Sequence, residues 1–150
     1  MKKILYTLAL VAALTSCVGS YNVEGSSSIT ALDGSKLYLK AIKNNQLKNL
    51  DSCEVVHGEF HFSGTLDSVR MASLYMDDES VMPIVLEKGD IVVKIEAGRQ
   101  IVSGTPLNDS LYVFIEEHNR LSNQMNELSH KQSQMLLDGI DEAAINEQLS

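Results

Sequence analysis

From Tyr21 to Ser103 apolar and polar residues alternate with a period of two, in short runs broken by turn signals, and this most restricts what the chain can fold into. The candidate strands are residues 21–25, 36–42, 50–56, 59–63, 69–76, 81–87, 90–96 and 100–103, all rich in Val, Ile, Leu, Tyr and Phe. Between them stand Asp33-Gly34, Asn44-Asn45, His57-Gly58, Asp77-Asp78 and Lys88-Gly89, residue pairs suited to tight turns. Connections this short join antiparallel neighbours, because a parallel pair needs a crossover of a dozen or more residues. The pattern predicts a mainly β chain: an antiparallel meander of seven or eight strands, closed over its apolar face as a sandwich or a partly closed barrel.

The best-marked hairpin turns at His57-Gly58. Gly58 can take the positive φ of a tight turn, and alternation then sends Phe60 and Phe62 to the core and Glu59 and His61 to solvent. A second hairpin is expected at Lys88-Gly89, setting Ile84 and Leu86 against Val92 or against the Ile91, Val93, Ile95 set. Pro83 cannot donate to a ladder, which places its strand at an edge or at a bulge.

At Gly104-Thr105-Pro106 the period becomes helical. Thr105 suits an N-cap, Pro106 the first helical position and Asp109 the first turn. Leu107, Leu111, Phe114, Leu121, Met125 and Leu128 then recur at alternating spacings of three and four, with His118 in the gap, a narrow heptad-like stripe. Gln132 interrupts the stripe, Asp138-Gly139 marks a stop or break, and a further helical stretch is expected from Asp141. The stripe can cover the open face of the β-domain, or pair with a second copy or another domain; Asn119, Gln124 and Asn126 give the opposite face its polarity.

The amino end carries an address. Lys2 and Lys3 precede an 11-residue run, residues 4–14, apolar apart from Thr7, far short of the roughly 20 residues that span a bilayer and shaped like a secretory signal. Leu14-Thr15-Ser16-Cys17 resembles the lipobox of bacterial lipoproteins, in which Cys17 receives a diacylglycerol and becomes the new amino terminus. Residues 1–16 are thus expected to be a signal peptide, 17–20 a tether, 21–104 the β-domain and 105–150 a helical segment that can continue into something further. Acyl chains on Cys17 would anchor the protein to a membrane without spanning it. Val18, Gly19 and Ser20 carry no acidic retention signal, which by the same resemblance implies the periplasmic face of the outer membrane.

Charge removes one class of partner. The chain has 12 Lys and Arg against 20 Asp and Glu, a net −8 that becomes −10 once Lys2 and Lys3 leave with the signal. Nucleic-acid binding needs a basic footprint that this balance does not provide.

Residues able to do chemistry are sparse. With Cys17 acylated, Cys53 is left as a single thiol, and its place in an alternating strand reads as a small buried hydrophobe more readily than as a redox group. His57, Glu59 and His61 have ligand-like spacing on a strand, but His57 sits in the turn, where the shared face fails. Asp77-Asp78-Glu79 lacks the spaced ligands and central Gly of a calcium loop. No nucleophile elbow or phosphate-cradling Gly-rich loop occurs, and Gly25 and Gly104 stand alone. The sequence therefore predicts no catalytic residue, no metal ligand and no cofactor.

Tyr21-Asn22-Val23-Glu24-Gly25, Gly58-Glu59-Phe60-His61-Phe62-Ser63-Gly64, Ile84-Val85-Leu86-Glu87-Lys88-Gly89-Asp90-Ile91 and Val102-Ser103-Gly104-Thr105-Pro106-Leu107-Asn108-Asp109, with Lys36-Leu37-Tyr38-Leu39 and Leu50-Asp51-Ser52, carry a family resemblance in their order and spacing. Across residues 21–115 the chain resembles the uncharacterised β-domain at the amino end of many Bacteroidetes-type periplasmic lipoproteins, often ahead of a thioredoxin-like domain of thiol-disulfide interchange proteins. The resemblance implies a sandwich-like accessory domain in the periplasm with no catalytic residues to transfer. The sequence contains no Cys-x-x-Cys, so any disulfide exchange would belong to residues outside it. The expected function is a lipid-anchored, non-catalytic interaction or positioning module with a protein partner or self-association through the helix. The alternative is the accessory part of a thioredoxin-like oxidoreductase.

Overall fold

In the computed structural model of the chain the described residues are 19–140 and Ala144. The signal segment, Cys17 and the stretch expected from Asp141 lie outside them, Ala144 excepted. Eight strands precede one long helix: β1 Gly19–Ser27, β2 Lys36–Lys43, β3 Gln46–Glu54, β4 Glu59–Leu66, β5 Arg70–Met76, β6 Glu79–Leu86, β7 Gly89–Glu96, β8 Arg99–Ser103 and α1 Pro106–Leu137. They divide into two compact units, one ending at Asp109 and one beginning at Ser110.

The strands form two four-stranded sheets, ordered β4-β1-β7-β8 and β3-β2-β5-β6. This is the sandwich of the two expected architectures, and the sheets do not close into a barrel. The simple meander is corrected. Only β2–β3, β5–β6 and β7–β8 pair as sequence neighbours, while β1 lies between β4, antiparallel to it, and β7, parallel to it. Asn44 and Asn45 both take positive φ (52° and 59°), as do His57 and Gly58 (53° and 76°), the geometry of a two-residue hairpin turn that matches strand twist. At His57-Gly58 the turn closes on reciprocal Val56 and Glu59 bonds of 2.9 and 3.0 Å. Its strands then part, β3 into one sheet and β4 into the other. The hairpin expected at Lys88-Gly89 is likewise a crossing between sheets, so Ile84 and Leu86 meet Ile91, Val93 and Ile95 as opposite walls of the core.

Alternation builds that core. Val23, Phe62, Ile91, Val93 and Val102 come from one sheet and Leu37, Leu39, Leu74, Ile84 and Leu86 from the other, all fully buried. Phe60 and Phe62 are buried with ring centroids 6.2 Å apart at 68°, an edge-to-face pair, while Glu59 and His61 face solvent as expected. Each end of the β1–β4 ladder sets an aromatic over a glycine: Tyr21 opposite Gly64 and Phe60 opposite Gly25. A Cβ on Gly25 would stand 2.0 Å from the Phe60 ring, and one on Gly64 would stand 2.6 Å from the Tyr21 hydroxyl. Pro83 lies in β6, an edge strand, as its missing donor requires.

β1, β3 and β6 begin two to four residues earlier than their patterns indicate, β6 at Glu79 opposite Met76. β1 includes Gly19 and Ser20, residues expected in the tether, because their partners Leu66 and Thr65 extend the β4 ladder. β3 begins at Gln46, since the Asn44-Asn45 turn forces Gln46 opposite Lys43. Residues 46–50 are exposed along that edge and carry no alternation to read.

Strand directions give the sandwich a proximal end, where β1 enters at Gly19. The β2–β3 turn, the β4–β5 loop, the β6–β7 turn and the start of α1 lie at that same end, as the pairings of Gly19 with Leu66, Arg70 with Leu86 and Tyr21 with Gly89 require.

The 32 residues of α1 extend about 48 Å at 1.5 Å per residue. The helix passes through Gln132 without a break and ends where Asp138-Gly139 indicates. Gly139 takes φ 77°, with Ile140 N donating to Met135 O (3.0 Å) and Gly139 N to Leu136 O (3.1 Å), the paired bonds of a Schellman motif. Phe114, Leu121, Met125 and Leu128 of the expected stripe are exposed. Glu117, Arg120 and Gln124 form a hydrogen-bonded row along the helix surface.

Candidate functional site

The most completely built polar constellation lies at the proximal end, where β6 and the first turn of α1 meet. Asn108 is fully buried, and Thr105 and Glu87 are nearly so. As the outer strand of its sheet, β6 leaves backbone groups without a ladder partner. The Asn108 carboxamide takes up one pair, accepting from Val85 N at 2.8 Å and donating to Val85 O at 2.7 Å. It thereby stands in for one residue of a missing strand. Its second hydrogen goes to Thr105 Oγ1 at 2.8 Å.

Glu87 completes the joint from the strand side. Its Oε1 accepts from Leu107 N at 2.7 Å and Asn108 N at 3.1 Å, two of the amides that a helix start leaves unsatisfied. A carboxylate at that position also complements the helix dipole. Asp109 closes the turn by accepting from Gly104 N at 3.0 Å, while its own N–H donates to Thr105 O at 2.9 Å. Thr105, Pro106 and Asp109 thus take the places their types indicate. The roles of Glu87 and Asn108 escaped the sequence reading, although both stand inside the quoted motif stretches. The available signal was a lone carboxylate directly behind the apolar run ending Ile84-Val85-Leu86. The polar groups of this joint satisfy one another, so it fixes position and offers no reacting group.

Two of the concavities among the described residues gather titratable side chains. The first, about 460 Å³, opens at the proximal end and is lined by Tyr21, Lys43, Asp51, Thr65 and Arg70 among others. Burial, reinforced by the nearby Asp51 charge, raises the Tyr21 phenol above its ordinary range. Arg70 pairs with Asp67 and holds that exposed carboxyl below the usual value. The second, about 680 Å³, includes Cys53, His57, Glu59, His61 and Glu24. There burial pushes the Cys53 thiol up, against a lowering contribution from the His61 backbone, the opposite of what a reactive thiol requires. His61 Nδ1 lies 3.4 Å from Glu24 Oε1 with both side chains exposed, while His57 sits in the left-handed turn. Among the described residues no group of three His, Cys, Asp or Glu side chains is placed to hold a metal ion. Asp77, Asp78 and Glu79 form the β5–β6 turn and the first residue of β6. Cys17 lies outside the described residues.

These features define a β-sandwich whose edge strand β6 and the Glu87 that follows it hold residues 105–108, the first turn of the helix. A family model described as "Domain of unknown function (DUF4369)" matches residues 21–111, and the chain belongs to that family. The match ends just past the Glu87–Asn108 joint, so the family's span contains both halves of it. No curated protein matches the chain.

Proposed function

We propose that this protein is a lipid-anchored, non-catalytic positioning module of the cell envelope, held to the periplasmic face of the outer membrane by acylated Cys17 and using its helix to engage a protein partner. The observation that carries this reading is the buried Glu87–Asn108–Thr105 joint. A fully satisfied polar network specifies one geometry, and here it fixes the first turn of a helix whose stripe at Phe114, Leu121, Met125 and Leu128 is exposed. Large apolar side chains in a row along one helix suit a helix-in-groove or helix-pair contact.

The anchor is tested by metabolic labelling with radioactive palmitate: the full chain is expected to take label and Cys17→Ser to lose it. The helix is tested in the full chain by Met125→Asp and Leu128→Asp. These are expected to abolish self-association or partner docking while moving the melting temperature by less than about 2 °C, the scale of a surface change. A monomer whose melting point falls sharply with these substitutions would show the stripe completing the chain's own fold, and would sink the interaction reading.

A further inference from the structure

The proximal end of the sandwich gathers exposed apolar and basic side chains in a chain that is otherwise acidic. Ile42 and Leu47 are cross-strand partners beside the β2–β3 turn, with Met71 beside them on one shallow open surface. Ile42 is 72% exposed, Met71 and Val69 56%, and Leu47 51%. Lys43 and Lys48, next in sequence to Ile42 and Leu47, are exposed on the other face of the same two strands at this end. Lys88, in the β6–β7 turn, stands against Gly19, where a Cβ would meet its side chain at 3.6 Å. The carboxylates at this end are largely committed elsewhere. Asp67 is paired with Arg70, Glu87 is buried accepting helix amides, Asp51 lines the neighbouring cleft, and Asp90 lies within 3.4 Å of Asn22 on the outer face of the other sheet.

This is also the end at which the chain leaves its anchor. Gly19 is the second residue after Cys17, a reach of at most about 7 Å. An acyl group on Cys17 would therefore hold the Gly19 end of the sandwich close to the headgroups. We propose that the Ile42–Leu47–Met71 surface, with Lys43 and Lys48, is a second membrane contact that seats the anchored domain on an anionic bilayer. It rests on the lipoprotein reading above. The apolar side chains enter the interface and the lysines meet lipid phosphate, the pairing that strengthens one-site anchors.

The test uses the full chain, produced in cells with radioactive palmitate, purified in detergent and reconstituted on vesicles. In a Cys53→Ser background, Ile42→Cys carries an environment-sensitive fluorophore, and Gln100→Cys at the opposite end of the sandwich serves as control. Lipids bearing a quencher on the acyl chain are expected to quench the label at position 42 several-fold more than the one at 100, in phosphatidylglycerol-containing vesicles. Adding Lys43→Glu and Lys48→Glu is expected to lower that quenching to the level seen on phosphatidylcholine alone. Equal quenching at 42 and 100 in a palmitate-labelled chain would overturn the contact and leave the anchor standing. A chain that takes no palmitate would overturn both. Ile42→Cys chains that form a disulfide-linked dimer on the vesicles, with no lipid quenching at 42, would assign the surface to a second copy of the chain and overturn the lipid contact.

Discussion

Gly25→Ala isolates the packing of the β1–β4 ladder in a single methyl group. The new Cβ would lie 2.0–2.3 Å from three atoms of the Phe60 ring, far inside van der Waals contact, so the ring must leave its place. Phe60 is 4% exposed, and driving a buried Phe side chain toward solvent costs about 1.5–3 kcal/mol. Loss of the edge-to-face contact with Phe62 adds about 0.5–1.5 kcal/mol. Gly25 does not take a positive φ, so alanine recovers about 0.4–1 kcal/mol through the unfolded chain. The expected net loss is about 1–4 kcal/mol, read as a lower urea midpoint with tyrosine fluorescence as the probe. Gly19→Ala is the control, because its Cβ would meet only ordinary contacts at 3.6 Å and beyond; it is expected to stay within about 0.5 kcal/mol. Phe60→Leu combined with Gly25→Ala should cost less than the two single losses together, since the smaller side chain vacates the contested space. Full additivity, or a neutral Gly25→Ala, would refute the stacking of Phe60 on the glycine.

Phe62→Ala or Phe60→Ala is expected to cost about 3–5 kcal/mol and His61→Ala under about 0.5; a reversed order of denaturant midpoints would invert the facing of β4. Asn108→Leu removes both partners of the buried Val85 backbone pair and should cost about 2–4 kcal/mol, against about 1 for Asp109→Ala at the exposed cap, both measured by urea titration. The Cys53 thiol is raised by burial, so the folded protein holds its proton more tightly than the unfolded chain. Stability from this group is therefore complete below the ordinary thiol range and falls as pH rises through and above it. Iodoacetamide should alkylate Cys53 more slowly than a free thiol at neutral pH, and faster reaction would contradict the burial.

The eight strands and the helix were legible because each announces itself within a few residues. Asn44-Asn45 and His57-Gly58 turn as their types require, and Thr105, Pro106 and Asp109 start the helix where expected. Partner choice was not legible, because it is settled across the chain. His57-Gly58 makes a good local turn whether its strands remain paired or part into two sheets, and alternation in residues 81–87 and 90–96 buries the same side chains in either arrangement. Parallel pairing of β1 with β7 leaves no local mark. The joint was hidden for a related reason: Glu87 reads as a polar strand end and Asn108 as an ordinary first-turn residue until the fold brings them within hydrogen-bond reach. Gly25 and Gly64 look isolated in sequence, and only the antiparallel register reveals that each lies beneath the other strand's ring.

The central place of β1 imposes an order on assembly. Its partners, at Phe60 to Leu66 and at Gly89 to Ile95, lie far along the chain, so closing that sheet means closing long loops. The β2–β3 and β5–β6 hairpins need only local turns. As the chain is made from its amino end, β1 comes first and waits with both edges bare, a state open to pairing with other chains. An early tie to a surface through Cys17 would keep neighbouring copies from diffusing freely while the edge is open. In pulsed hydrogen exchange during refolding, amides of β1 are therefore expected to gain protection after those of the β2–β3 hairpin. Simultaneous protection would show that the sheets form together and that the waiting state does not exist.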